Sequence, residues 1–300
     1  LLAHLTSKYI EQPIRHKKVS GKKVYLFFIS TTIASLVAGI LIAASSSSMI
    51  AVKGTSYKFN LTEVMKKPKV YGDGCHVNYG ETKSGSCTYG VKNSTKTIVL
   101  FGDSHAAQWF PALEKVATER GYKLVSLTKS ACPSVDVRRA DQGAFKNSEC
   151  EKWRQNSIAR IKSIHPAAVL MSSFQHFTPP RGSPTRSTWW SQGQQKLLSE
   201  LRGSSDHLIY ISDTPKPVRD IPNCLASRNS HSCDSTEKSP FEIVDGFEKI
   251  NPTPWLCTSF CPAIQNGYVV YRDASHISVA AALALKSQLE NAMMAKGLFA

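Results

Sequence analysis

The sequence predicts an α/β fold built on a parallel, doubly wound sheet. Three observations predict it: short apolar runs rich in β-branched residues, amphipathic helical stretches between them, and 42% hydrophobic against 20% charged residues in a chain of 300. Buried parallel strands read as continuous apolar runs, and strands that alternate with helices form βαβ units. The composition excludes a chain that is disordered throughout or embedded in a membrane along its whole length.

The predicted elements alternate regularly along the chain. The first strand, 97–101, reads TIVLF, and the helix over 106–120 that follows it carries an apolar stripe and ends at Gly121. The later strands are predicted at 122–127, 167–171, 208–212 and 268–271, and the later helices at 150–164, 189–201 and 278–295. This order predicts helices on both faces of the sheet.

An apolar stretch without formal charge, 24–44, precedes this domain. At about 1.5 Å per residue it matches the ~30 Å hydrocarbon core of a bilayer, so we predict a transmembrane helix. A buried core helix and the apolar part of a cleaved signal peptide are the alternatives. Residues 1–23 hold six basic residues and one acidic residue, which favours a cytoplasmic leader and an exported remainder. The polar, glycine-rich residues 45–93 are predicted to be a periplasmic linker.

The net charge of +15 would suggest nucleic acid as a partner if it formed one patch. Part of the charge belongs to the leader, which orients a chain in a membrane. The exported part keeps 31 basic and 21 acidic residues, which favours anionic glycans or lipid head groups. We therefore expect the membrane as a partner and no nucleic acid.

All eight cysteines follow the predicted span. An exported domain lies in an oxidising compartment, where paired cysteines persist as disulfides. Proximity in the chain favours four local pairs, namely Cys75–Cys87, Cys132–Cys150, Cys224–Cys233 and Cys257–Cys261. The spacing of the last pair also resembles that of zinc ligands, but no matching second pair accompanies it. We predict disulfides and no metal site.

Two polar motifs each follow a predicted strand and precede a helix: FGDSH at 101–105 and RDASHIS at 272–278. Because reactive groups gather at the carboxyl ends of parallel strands, the two motifs are expected to meet. Ser104 would present its hydroxyl as a nucleophile, His276 would be its base, and Asp273 would orient that base. Helix capping by Asp103 or Ser104 and a structural role for His276 are the alternatives.

These motifs carry a resemblance to a known family. GDS and DxxH resemble the SGNH hydrolase superfamily, also called GDSL, and the longer strings GDSHAAQWFPAL, LTKSACPS and DASHIS resemble SGNH domains fused to acyltransferase-3 membrane proteins. SKYIEQPIR resembles the segment that closes the acyltransferase-3 membrane domain, so the chain, which starts without Met, is interpreted as the C-terminal part of a longer protein. The resemblance implies a three-layer α/β/α, flavodoxin-like SGNH domain over 94–300, preceded by one transmembrane helix.

The resemblance also implies site residues. The backbone N–H of Ser104 would be one oxyanion donor, but the superfamily's glycine and asparagine blocks are not intact here. Ser130 and Gln175 are the candidates to replace them, with solvated loop residues as the alternative.

Three further residues are candidates for substrate binding. His105 follows the nucleophile and would bind or pack, and Trp109 and Trp189 would stack on sugar rings unless they belong to the core.

Members of this family O-acetylate bacterial surface polysaccharides such as lipopolysaccharide O-antigen. The resemblance therefore implies an O-acetyltransferase of the inner membrane whose SGNH domain lies in the periplasm. Acetyl-CoA would be the acetyl donor through the acyltransferase-3 domain of the same chain, this part would bind no cofactor, and a polysaccharide or lipid-linked glycan would be the acceptor. A polysaccharide O-acetyl esterase and a non-catalytic glycan-binding module are the alternatives.

Overall fold

The computed structural model describes residues 21–45, 49–140, 143–236 and 241–299, together with the single positions 4, 8 and 12. The chain divides into two compact units, Leu1–Ser48 and Met49–Ala300. Most of the predicted leader, 1–23, lies outside the described residues.

The first unit contains helix α1, Gly21–Ser45, which covers the predicted span. In the part of the chain that the structure describes, no helix combines the length and the apolar character that a membrane crossing requires. The transmembrane helix predicted at 24–44 is therefore not confirmed.

The second unit begins within the stretch predicted as a linker. Strands β1 (Met49–Ala51) and β2 (Lys58–Asn60) form an antiparallel pair, followed by short helices α2 (Leu61–Val64) and α3 (Lys69–Gly72). Two further strands, β3 (His76–Val77) and β4 (Thr88–Gly90), pair with the central sheet. Residues 49–93 thus belong to the same compact unit as the predicted domain, and two of their strands, β3 and β4, hydrogen-bond to β6 of its sheet.

The central sheet has seven strands. The remaining five are β5 (Thr97–Gly102), β6 (Lys123–Lys129), β7 (Ala168–Ser172), β8 (His207–Ile211) and β9 (Glu248–Ile250). Their order is β3-β6-β5-β7-β8-β9, all parallel, and β4 lies antiparallel against β6. Strands β5 to β9 follow the flavodoxin-like order, with the first strand between the second and the third. The predicted parallel sheet is confirmed.

The fifth parallel strand is not the predicted one. Residues predicted as a strand at 268–271 instead contribute β11 (Tyr268–Val269) to an antiparallel hairpin with β10 (Ile264–Gln265). Asn266 and Gly267 form its two-residue turn, both with positive φ, as such a hairpin requires. The fifth parallel strand of the series that starts with β5 is β9 instead, although only one of its three residues is apolar and buried.

Two helices that the pattern predicts as continuous are divided. The first forms α4 (Ser104–Ala107) and α5 (Phe110–Glu119), because Pro111 has no N–H to continue the helical ladder. The last forms α10 (Val279–Ala284) and α11 (Lys286–Met294). The other helices are α6 (Asn147–Ile164), α7 (Arg186–Leu201), α8 (Ile221–Ser227) and α9 (Thr253–Leu256), with a 3₁₀ turn at Ser230–Cys233.

The core lies in two layers, one on each face of the sheet. Along β5, Ile98 and Leu100 pack with residues of α5, α10 and α11. Val99 and Phe101 point to the other face and pack with residues of α6 and α7. Successive strand residues alternate between faces, so a strand covered on both sides is apolar throughout. The second unit is a three-layer α/β/α domain.

Four disulfides join the four pairs of cysteines predicted from proximity. Cys257 and Cys261, the pair with zinc-like spacing, are bonded to each other. The described chain has no free cysteine.

Candidate active site

The candidate site starts at the carboxyl end of β5. Gly102 approaches β7 so closely that a Cβ atom there would lie 2.1 Å from the carbonyl oxygen of Ser172, and its φ of +150° suits glycine. Asp103 is the N-cap of α4, since its side chain accepts a hydrogen bond from the backbone N–H of His105. Ser104 is therefore the first helical residue, on the turn that leaves the sheet.

A tight loop before α10 supplies the second half of the site. An isolated β-bridge joins Tyr271 to Ile277, and the backbone N–H of Arg272 donates to the carbonyl of His276. The carboxylate of Asp273 accepts hydrogen bonds from the backbone N–H groups of Ser275 and His276, each at 2.8 Å. The loop thus holds the carboxylate against its own backbone.

The two halves meet in a chain of three side chains. The Nε2 atom of His276 lies 2.8 Å from Oγ of Ser104, and its Nδ1 atom lies 2.8 Å and 3.0 Å from the two carboxylate oxygens of Asp273. The side chain of Asp273 is 36% exposed and that of His276 is 18% exposed. The predicted nucleophile, base and orienting acid are therefore within hydrogen-bonding distance in the expected order.

The site's electrostatics suit proton transfer from Ser104. Burial, with the nearby charge of His105, lowers the pKa of His276 to about 4 even though Asp273 acts to raise it. Burial acts to raise the pKa of Asp273, but hydrogen bonds from His276 and the backbone outweigh it and hold that pKa below its usual range. At neutral pH the imidazole is neutral and can accept a proton, while the carboxylate is ionised.

A bridge across the sheet edge supports this arrangement. The side-chain oxygen of Gln108, just after α4, accepts a hydrogen bond from the backbone N–H of Ile277 at 2.9 Å. Its amide nitrogen lies 3.4 Å from Oγ1 of Thr214, after β8. Gln108 is buried and follows the GDSH motif by three positions, a signal that sequence reasoning did not use.

Behind His276 lies a second imidazole–carboxylate pair. The Nδ1 atom of His105 is 2.6 Å from Oδ1 of Asp213, and both side chains are buried. The other oxygen of Asp213 accepts the backbone N–H of Gln175. Sequence analysis did not single out Asp213, although it follows directly the strand predicted at 208–212.

The three predicted oxyanion residues each follow one of three neighbouring strands, β5, β6 and β7. Among the described residues, no hydrogen bond occupies the backbone N–H of Ser104, which leaves that donor available. Gln175 is fully buried, and its backbone follows β7 beside Asp213. Ser130 follows β6, and its Oγ atom lies 3.4 Å from the side-chain oxygen of Asn78 near β3.

The residues predicted to touch substrate are core residues. Trp109 is fully buried, and Trp189 is 8% exposed and donates its indole N–H to the carbonyl of Arg138. The burial of both rings favours the alternative that they belong to the core. His105 is 2% exposed, which excludes a broad contact with a sugar and leaves the packing alternative.

A cavity of about 1170 Å³ lies beside the triad and does not include it. Its walls come from residues 57–73, α5, the hairpin and the start of α10, and they carry Tyr57, Phe59, Tyr71 and Tyr268. Among the described residues, no group of three or more His, Cys, Asp or Glu side chains is arranged to hold a metal ion.

Two solved structures align with this chain, and the first of them, with a TM-score above 0.5, shares its fold. The periplasmic domain of a lipopolysaccharide acetyltransferase from Salmonella ser. Paratyphi A aligns with a TM-score of 0.55 and 19% identity, covering 72% of this chain and 92% of that one. A GDSL-like lipase from Bacteroides thetaiotaomicron aligns with a TM-score of 0.38 and 10% identity, covering 67% and 89%. No curated protein matches the sequence.

The family of the chain follows from its sequence. A family model described as the SGNH domain fused to AT3 domains matches residues 74–291, which include β3, the whole triad and most of α11. The match starts inside the stretch predicted as a linker, in agreement with the strands found there. The chain belongs to the family of SGNH domains that are fused to AT3 domains.

Proposed function

We propose that this domain transfers an acetyl group to a sugar hydroxyl of a bacterial surface polysaccharide through an acyl-enzyme on Ser104. The observation that carries the proposal is the hydrogen-bonded chain Asp273–His276–Ser104 at the carboxyl edge of the sheet. A weakly acidic hydroxyl needs an adjacent base, and that base needs an oriented partner. The geometry supplies both.

In the first half-reaction, Oγ of Ser104 attacks the carbonyl carbon of the acetyl donor while its proton passes to Nε2 of His276. The ionised Asp273 keeps the other ring proton on Nδ1 and stabilises the imidazolium that forms. The free N–H of Ser104 is placed to donate to the developing oxyanion. When the carbonyl re-forms, the bond to the leaving group breaks and the leaving group takes the proton from His276.

In the second half-reaction, a sugar hydroxyl gives its proton to His276 and attacks the acetyl-serine. A new ester forms on the sugar, the bond to Oγ breaks, and the proton returns to Ser104. No net oxidation or reduction occurs, and the enzyme is regenerated.

Family membership supports transfer as the outcome. AT3 fusion supports a membrane acyltransferase-3 domain as the source of the acetyl group, with acetyl-CoA as the original donor. Similarity to the Salmonella domain supports a lipopolysaccharide O-antigen or its lipid-linked precursor as acceptor. The four disulfides support an exported location, which we propose is the periplasm.

Polysaccharide O-acetyl esterase activity is the second candidate. The observation that favours it is the exposure of Asp273 and His276, because solvent that reaches the imidazole can supply water as the acyl acceptor. The two activities share the first half-reaction and differ only in the acceptor.

The test measures acetylation of surface polysaccharide in cells that carry the full-length protein with Ser104→Ala. Ser199→Ala, on the exposed face of α7, is the matched control. We expect acetylation to be lost with the first variant and retained with the control at equal protein levels. Unchanged acetylation would exclude Ser104 as the nucleophile, and increased acetylation would indicate the esterase.

A further inference from the structure

The proposed reaction does not use the buried pair of His105 and Asp213. Their side chains are 2% and 1% exposed, and 2.6 Å separates Nδ1 from Oδ1. Buried ionisable groups are costly unless they are paired and hydrogen-bonded. Here the carboxylate of Asp213 accepts hydrogen bonds from the imidazole of His105 and from the backbone N–H of Gln175. Both buried side chains of the pair therefore have hydrogen-bond partners.

The His105–Asp213 pair lies against His276, the proposed base. The ring centroids of His105 and His276 are 4.5 Å apart, with the rings inclined by 43°. His105 is the residue after Ser104, and its backbone N–H is fixed by Asp103. The His105 ring also contacts Phe174, with ring centroids 4.7 Å apart. Helix α4 thus places Oγ of Ser104 beside Nε2 of His276 and the ring of His105 beside the ring of His276.

The charges around the two rings have opposite effects. Asp273 and Arg272 act on His276 from its own loop, His105 acts from α4, and His76 lies close enough for mutual repulsion from β3. Of these groups, only the carboxylate favours the protonated ring of His276.

His105 is surrounded by carboxylates instead. Burial acts to lower its pKa, but Asp213, then Asp103 and Asp273, outweigh burial and raise that pKa above its usual value. Within this cluster, the surrounding charges favour a proton on His105 over one on His276.

We propose that the His105–Asp213 pair is a positioning pair, in which Asp213 holds His105 as an imidazolium and this cation keeps Nε2 of His276 unprotonated toward Ser104. The inference rests on the proposed function, because it takes His276 as the base. It assigns the histidine of the GDSH motif an electrostatic role in place of contact with the sugar. His105 acts through His276 and touches no reacting atom.

The decisive measurement is an NMR titration of the imidazoles in the whole chain, which needs no activity. Loss of one resonance in each of His276→Gln and His105→Gln assigns the two rings. In the unsubstituted protein we expect the pKa of His105 to lie above that of His276, so that His276 loses its proton first as the pH rises. The reverse order of titration in the unsubstituted protein would overturn the proposal.

Two variants then test the coupling. In His105→Gln, and in Asp213→Asn, which keeps the imidazole but removes its counter-charge, we expect the pKa of His276 to rise by about 1 unit or more. Phe174→Leu is the control, because it disturbs packing on His105 without changing charge, and it should leave the titration unchanged. An unmoved His276 in a folded charge variant would show that the pair is only structural.

The acid limb of the pH profile for ester cleavage should move to higher pH in the same two variants. If Ser104→Ala loses activity but the pKa of His276 is unchanged in His105→Gln and Asp213→Asn, this inference is refuted and the proposed function stands. If Ser104→Ala keeps its activity but the pKa of His276 shifts in those two variants, the proposed function is refuted and the coupling of the two rings is established.

Discussion

The Nε2 atom of His276 lies 2.8 Å from Oγ of Ser104, although 172 positions separate the two residues. Ser104 is the first residue of the helix that follows β5. His276 lies in the loop before α10, which packs over the carboxyl end of that strand. The contact depends on the close passage of β5 beside β7 at Gly102 and on the bridge from Gln108 to Ile277. Consequences for activity and stability follow from each of these contacts.

Replacing Asp273 with Asn should abolish most of the activity while the fold is retained. An amide cannot hold the Nδ1 proton as a carboxylate does, nor stabilise the imidazolium, so kcat should fall by ~10²–10⁴-fold. The measurement is kcat for cleavage of an acetyl ester. Ser275→Ala is the control, because its hydroxyl contacts the same Nδ1 atom at 3.2 Å without carrying charge. Equal losses in both variants would contradict the orienting role of the carboxylate.

Gly102→Ala should destabilise the domain. The added methyl group would meet the carbonyl oxygen of Ser172, which the sheet holds in place, and overpacking of this kind costs about 1–3 kcal/mol or more. The measurement is urea-induced unfolding. Gly72→Ala is the control, since a Cβ there meets no atom within 4 Å. A stability equal to that of the control would show that β5 and β7 can separate without cost.

The disulfides should differ in their contribution to stability according to loop length. Cys132–Cys150 closes a loop over 18 positions and Cys257–Cys261 a loop over only 4. Loop-closure entropy predicts that replacing the first pair by alanines lowers the free energy of unfolding by about 1 kcal/mol more than replacing the second. Urea unfolding of the two double variants measures the difference. The reverse ranking would indicate that packing at these sites outweighs chain entropy.

Acid should destabilise the domain through His76. Burial lowers the pKa of His76 from 6.5 to about 3, and its ring stacks on Tyr71 and lies 3.0 Å from Oγ1 of Thr128. Because the unfolded chain binds this proton more readily, stability falls as the pH drops from about 6.5 toward 3. The variant His76→Gln should show a shallower loss of unfolding free energy over that range. A slope identical to that of the unsubstituted protein would exclude His76 as a source.

Much of the fold could be predicted because buried parallel strands have a distinctive composition. The runs at β5 to β8 are apolar on both faces, and their order along the chain predicted the layers. Strand β9 was missed because it is an edge strand with two charged residues, Glu248 and Lys249. The run YVVY at 268–271 was misassigned because its composition equals that of a strand, whereas the turn at Asn266 and Gly267 directs it into a local hairpin.

The site could be predicted where its residues lie in short motifs with recognisable chemistry. Ser104 follows β5 closely, and Asp273 and His276 follow the run at 268–271, which was predicted as a strand and forms part of a hairpin. Asp213 escaped notice because its partner, His105, is 108 positions away and pairing at that distance depends on tertiary structure. The sequence left two roles open for Trp109, because an aromatic residue near a helix start can lie in the core or at the surface, and its burial favours the core.

On the side away from β5, the edge of β6 is covered by other strands. Two short strands, β3 and β4, share that edge in opposite directions, and Cys75–Cys87 joins the residues that precede them. Neither strand is long enough to serve as a template for a foreign strand, whereas the seven residues of β6 would be. The Cys75–Cys87 disulfide ties the two short strands together at this edge, where the longer β6 would otherwise be open to pairing with a strand of another copy.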